Sequence, residues 1–257
     1  MEPIRLNKYL SAAGVCSRRE ADRLIAGGTV LVDGVPADMG MKVTDENVIL
    51  VNGEPVQPQQ EMVILAVYKP EGIVCTTAEH KGEHNIVNLV NYPKRVYPIG
   101  RLDKASEGLI LMTNYGEIAD KILRGSNYHE KEYLVHVDRT VTAGFLDGMA
   151  KGGIPVQNQL TRPCEVEKTG EKTFRIVLTQ GLNRQIRRMC EYFGYQVVKL
   201  KRIRIMNIML GDLPTGSYRE ISREEQEELY RRIQGSSNQP VRENRGRREE
   251  WKKKDSE

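Results

Sequence analysis

Residues 130–138 read E-K-E-Y-L-V-H-V-D, and Tyr133, Val135 and Val137 fall on one face of an extended chain. A helix would scatter those three around its circumference, so the period of two predicts a strand with one buried side. Two further stretches carry a similar signal. M-V-I-L-A-V-Y at 62–68 is a short apolar run, and T-F-R-I-V-L-T-Q at 173–180 gathers Phe174, Ile176 and Leu178. Gly and Pro turns and helical stretches separate them at irregular intervals, unlike the regular alternation of repeated βαβ units. The expected class is α+β, with a mixed, largely antiparallel central sheet.

Upstream, residues 4–13 place Ile4, Leu6, Leu10 and Ala13 on one helical face, and Gly14 ends that helix. S-R-R-E at 17–20 fits a capping box, with Ser17 and Glu20 satisfying each other's amides. The helix it opens buries Ala21, Leu24 and Ile25 and stops at Gly27-Gly28. T-V-L-V-D-G and, at 48–53, V-I-L-V-N-G then predict two short strands, each followed by a turn. This gives a first unit over 1–54. The Pro- and Gln-rich residues 55–61 read as a linker, and 62–235 as the second unit. Residues 236–257 are polar, mixed in charge and nearly free of apolar anchors, the composition of a disordered tail.

The 257 residues allow a sizeable core, and the net charge of +4 makes charge placement matter more than charge total. Cys16, Cys75, Cys164 and Cys190 are isolated, which argues against a zinc ribbon or a disulfide framework and suits a reducing cytosol. No apolar run approaches a membrane span, so a cytoplasmic protein without a membrane partner is expected. His80-Lys-Gly-Glu83-His84 matches the H-x-x-E-H string of some zinc proteases. Gly82 inside the supposed helical turn favours a solvated loop instead, and no metal ligand set is assigned.

Cationic clusters recur at 18–19, 101–104, 184–188 and 199–204. Arg18 and Arg19 occupy a first helical turn, against the preference of the helix dipole, which suits either a phosphate ligand or two solvated charges. Asp103 stands between Arg101 and Lys104, just ahead of the apolar run Leu109–Met112. In G-L-N-R-Q-I-R-R-M-C-E-Y-F-G-Y, Ile186, Met189, Cys190 and Phe193 define a buried helical face. Arg187 then sits at its flank, with Arg184 and Arg188 pointing away. K-L-K-R-I-R-I-M-N-I alternates Arg202 and Arg204 with Ile203 and Ile205, as in an edge strand guarded by charge or a strand facing RNA. If folding gathers these clusters on one side, a groove for a polyanion results.

These segments resemble known families. R-L-N-K-Y-L, C-S-R-R-E-A-D-R-L-I and G-T-V-L-V-D-G within residues 4–53 are similar to an S4 RNA-binding domain. K-P-E-G-I-V at 69–74, G-R-L-D at 100–103, K-E-Y-L-V at 131–135 and G-L-N-R-Q-I-R-R-M at 181–189 resemble the RsuA/RluB/RluE/RluF family of ribosomal RNA pseudouridine synthases. The RluF branch, which acts on 23S rRNA, matches best.

The resemblance implies that Asp103 is the nucleophile, that Tyr133 stacks on the target uracil and takes part in proton transfer, and that Arg187 pairs with Asp103. Arg101 would hold the nucleotide everted. Lys8, Arg18, Arg19, Lys104, Arg184, Arg188 and Arg202 are the further expected RNA contacts. The implied reaction moves the ribose from N1 to C5 of uracil, an isomerisation that needs no cofactor, metal or cosubstrate. A carboxylate nucleophile must stay ionised in a partly dry pocket, which a nearby arginine favours. The expected partner is 23S ribosomal RNA or a ribosomal particle, bound by a monomer. The alternatives are the 16S-modifying branch of the same family and a non-catalytic S4-type ribosome-assembly factor.

Overall fold

The computed structural model describes residues 2–57, 61–77 and 84–236. Part of the expected linker (58–60), His80 and Glu83 of the H-x-x-E-H string and nearly all of the expected tail (237–257) lie outside the described residues.

The N-terminal end runs β1 (Ile4–Arg5), α1 (Leu6–Ala12), α2 (Arg18–Ala26), β2 (Val30–Val32), β3 (Val35–Pro36), β4 (Lys42–Val43), β5 (Ile49–Val51) and β6 (Glu54–Pro55). Ser17 caps α2 by accepting from the Glu20 amide at 3.2 Å, but Glu20 turns to Arg23 at 2.7 Å instead of completing the box. The two turns are alike. Asp33 and Gly34, and likewise Asn52 and Gly53, all have positive φ, the geometry of the tight hairpin turn that Asp-Gly and Asn-Gly favour. They fold β3-β2-β5-β6 into a four-stranded sheet, with β1 paired to β4 alongside. Leu6, Leu10, Ala21 and Ile25 of the helices join Val30, Ile49 and Val51 of the strands in a core of their own.

The larger region begins with β7 (Ile64–Lys69), α3 (Ile86–Val90), β8 (Tyr97–Ile99), β9 (Glu107–Thr113), α4 (Gly116–Leu123), β10 (Lys131–Val137) and α5 (Ala143–Lys151). A small hairpin, β11 (Pro155–Val156) and β12 (Gln159–Leu160), precedes β13 (Glu165–Lys168), β14 (Thr173–Leu178) and α6 (Gln185–Tyr192). The chain continues through β15 (Val197–Ile205), β16 (Ile208–Met209), β17 (Tyr218–Glu220) and α7 (Arg223–Ile233). The sheet order is β13-β14-β10-β15-β9-β7-β17, with β8 and β16 attached. Only the β9–β15 pair in this sheet is parallel, so the class is α+β with a mixed, mostly antiparallel sheet.

Alternation builds two cores, one on each side. Leu65, Val67, Ile110, Met112, Val135 and Phe174 face one layer, which includes Ile186 and Met189 of α6. Ile64, Ala66, Leu109 and Leu111 face the other, which includes Ile118 and Ile122 of α4 and Leu229 of α7. A strand covered on both sides is apolar throughout, which is why β7 reads as a run and β10 as an alternation.

One expectation is corrected. β15 is not an edge strand but lies between β10 and β9. Arg202 accordingly is not on an exposed basic face: it is 4% exposed. Its backbone presses on Gly108, where a Cβ would sit 2.2 Å from the Arg202 carbonyl oxygen. Among the described residues, no helix is long and apolar enough to cross a membrane.

Candidate active site

Asp103 opens a tight turn between β8 and β9 whose carbonyls are all engaged. The Ser106 amide donates to the Asp103 carbonyl at 3.0 Å, and the Gly72 amide donates to the Lys104 carbonyl at 2.8 Å. Arg187 Nη2 donates to the Ala105 carbonyl and Lys69 Nζ to the Ser106 carbonyl, each at 2.7 Å. Every carbonyl from Asp103 to Ser106 thus has a donor, as buried backbone requires. The two side-chain clamps are both cations. Lys69 has no exposed surface; burial pushes its amine below the usual lysine range, and it also donates to Pro70 O at 2.7 Å. Arg187 adds bonds to Ser106 Oγ at 3.2 Å and to Val197 O at 3.1 Å.

Two arginines face the Asp103 carboxylate. Arg184 Nη1 lies 3.7 Å and Arg187 Nε 3.9 Å from its Oδ2. The Arg187 side chain is 9% exposed against 33% for Asp103, and its Nε has no hydrogen-bond acceptor among the described residues. A buried, unfilled donor beside a half-open carboxylate leaves room for the pair to tighten when a ligand displaces water. Arg184 reaches the site because its backbone is left-handed, φ 51°, just ahead of α6. A helical projection places it away from the pocket; the turn before the helix reverses that.

A cavity of 560 Å³ opens over this turn. Arg101, Asp103, Lys104, Lys131, Tyr133, Arg184 and Arg202 line it, with Leu102, Ile186 and Leu200 among its apolar walls. A cavity of this size, part apolar and ringed by cations around one carboxylate, suits a flat anionic-backbone ligand such as a nucleotide. Tyr133 is buried on β10 with its neighbour in register, Arg202 of β15, on the same face of the sheet. Lys131 is buried as well, donates to His129 O at 3.1 Å, and is pushed down to about 8 by burial and by Arg202.

The fold therefore brings together Asp103, Tyr133, Arg187, Arg184, Arg101, Lys104 and Arg202. Arg188 lies half-buried on α6 and does not line the cavity. Arg18 and Arg19 are exposed on α2 of the N-terminal unit. Lys8 is engaged elsewhere: its Nζ sits 2.7 Å from Glu117 Oε1 of α4, an ion pair that joins the two units. Sequence reasoning missed Lys69 and Lys131. The only visible signal was a single lysine closing an apolar strand and one spaced two residues from Tyr133.

Residues 63–192 match the family described as RNA pseudouridylate synthase, and residues 4–49 match the S4 domain. The dual-specificity RNA pseudouridine synthases RluF of Salmonella typhi and Escherichia coli (strain K12) are each 50% identical over 91% and 92% of this chain, respectively, and 81% of theirs. Ribosomal large subunit pseudouridine synthase B of Bacillus subtilis is 36% identical over 88% of this chain and 95% of its own. A crystal structure of a pseudouridylate synthase superposes with a TM-score of 0.65 at 25% identity, covering 88% of this chain and 99% of that one. The chain belongs to the RNA pseudouridylate synthase family, in a form that carries an S4 domain.

Proposed function

We propose that the chain converts uridine to pseudouridine in ribosomal RNA, at a site in 23S rRNA, with Asp103 as the nucleophile on a flipped-out uridine. The observation that carries this is the Asp103 turn: a carboxylate facing two arginines in the cavity that also holds Tyr133, on a backbone with no free carbonyl. Such pre-organisation serves a reacting group that must not move as charge shifts. The names of the curated relatives support the RNA class, one group being dual-specificity enzymes and another acting on the large ribosomal subunit. Dual specificity extends the proposal to a second RNA with a similar stem-loop, transfer RNA among the candidates.

Extruding the base costs about a few kcal/mol. Stacking on Tyr133 and insertion of Arg101 into the vacated space offset it. The proposed organisation is an S4 unit over 1–54, a linker over 55–61, a catalytic unit over 62–235 and a tail over 236–257. Arg18 and Arg19 grip backbone, Lys104 and Arg184 meet phosphates at the cavity mouth, and Arg188 lies further along the same path. Four free thiols suit a cytoplasmic monomer.

Asp103→Asn tests the reading. It should abolish pseudouridine formation, measured by mass spectrometry of ribosomal RNA, while leaving the RNA dissociation constant within about threefold. Turnover near that of the unaltered enzyme would remove Asp103 as nucleophile. Mapping the modified uridine in a deletion strain separates 23S from 16S as the target.

A further inference from the structure

On the outer face of the sheet, the arginines beside Glu132 are paired with carboxylates. Arg204 meets Glu132 at 2.5 Å and Glu130 at 2.9 Å, and Arg175 meets Glu132 at 2.6 Å. On the cavity face of β10 and β15 the cations are not so paired. Lys131 and Arg202 are 7% and 4% exposed, adjacent enough for Arg202 to depress the lysine, and neither makes an ion pair among the described residues. The Arg202 guanidinium spends Nε on Leu109 O at 2.6 Å, while its buried Nη2 has no acceptor among the described residues. The Lys131 ammonium has three donors and one bond, to a backbone carbonyl. Two buried like charges without an anion are unfavourable in the free protein, so the site is complete only when something negative arrives.

Register says where that anion must lie. Lys131 and Tyr133 point the same way from β10, two residues apart, and Arg202 lies opposite Tyr133 on β15. A base stacked on the Tyr133 ring would have its edge beside both cations. We propose that Lys131 and Arg202 receive the negative charge that develops on the uracil base when its bond to ribose opens.

The inference rests on the reading of Asp103 and Tyr133 above and deepens it. As the C1′–N1 bond breaks, its electron pair stays on the base, which becomes a uracil monoanion with charge shared over N1, O2 and O4. The ribose C1′ is taken by an Asp103 oxygen. C5 then bonds to C1′ and displaces the carboxylate, the C5 proton leaves, and N1 is reprotonated from water. Charge on the base exists only between the first and last of these steps. Cations aimed at it therefore favour reaction over binding.

Single-turnover rates and dissociation constants, measured on a ribosomal RNA fragment for Lys131→Met, Lys131→Arg and Asp103→Asn, test the inference. Lys131→Met should slow turnover by about a hundredfold, the scale of losing one pre-organised charge donor, with affinity and its salt slope unchanged. Lys131→Arg should restore most of that rate. In the unaltered enzyme, turnover at subsaturating RNA should fall as pH rises through about 8, where Lys131 loses its proton under the influence of burial and Arg202. The charged groups sharing its cavity are Arg202 of β15, Arg101, Asp103 and Lys104 of the preceding turn, and Arg184 before α6. That limb should disappear in both Lys131 variants, whereas the titration of uridine itself is common to all.

Wild-type turnover in Lys131→Met overturns the inference. So does a loss confined to affinity and salt slope, which would make the anion an RNA phosphate. Should Lys131→Met fail to fold, the arginine variant and the pH limb decide: no limb near 8 in the unaltered enzyme sinks the inference. Inactive Asp103→Asn beside fully active Lys131→Met removes this inference alone, whereas active Asp103→Asn removes the reading beneath it.

Discussion

At the residue scale, Arg187 combines two tasks. Its Nη2 fixes Ala105 and Ser106, while its Nε faces the Asp103 carboxylate at 3.9 Å. A guanidinium can do both because its donors form a planar fork, which an ammonium lacks. Arg187→Ala should reduce turnover by about a hundredfold or more while RNA affinity changes little. Arg187→Lys should not rescue it. Recovery with lysine, seen in single-turnover rates, would show that charge alone matters and that the clamp on the turn is idle. The local sequence made Arg187 visible, since its place beside an apolar helical face aims it at a cleft. It offered Arg184 as an RNA contact but not as a neighbour of Asp103, because a left-handed residue ahead of a helix leaves no trace in helical spacing.

At the element scale, the contact between β9 and β15 is backbone against backbone. Gly108 has φ +111°, and a Cβ there would meet the carbonyl oxygen, nitrogen and carbonyl carbon of Arg202 within 2.9 Å. Gly108→Ala should destabilise the protein by about 2–4 kcal/mol, from the strained dihedral and overpacking together. Urea unfolding measures this, and a change below about 0.5 kcal/mol would mean that the two strands separate at little cost. Strand existence was legible here, from alternation in β10 and β14 and the apolar run in β7. Strand order was not. Arginines alternating with isoleucines in β15 suggest exposure, because burial of Arg202 depends on acceptors such as Leu109 O that come from 93 residues away in sequence. Likewise Lys69 looks like a surface end to β7, yet it is fully buried on two carbonyls.

At the scale of the whole molecule, the N-terminal unit has its own core and joins the rest through the Lys8–Glu117 ion pair among other contacts. The hydrogen bond from Lys8 lowers the pKa of Glu117, with Tyr115 assisting. Because Lys8 is committed there, the exposed Arg18 and Arg19 are the cations of this unit proposed to hold RNA. Changing both to Ala should weaken binding and flatten its salt dependence by about 1.4, if each meets one single-strand phosphate. An unaltered slope in titrations at several salt concentrations would place the RNA elsewhere. The parallel pairing of β9 with β15 also has a consequence for synthesis. The strand in the middle of the catalytic sheet comes from residues 197–205, long after Asp103 has left the ribosome. Until translation reaches it, β9 and β10 have no neighbour to bridge them, although the N-terminal unit is already complete. A nascent copy thus has a finished N-terminal core before its catalytic sheet can close, and its chemistry must wait until residues 197–205 have been made.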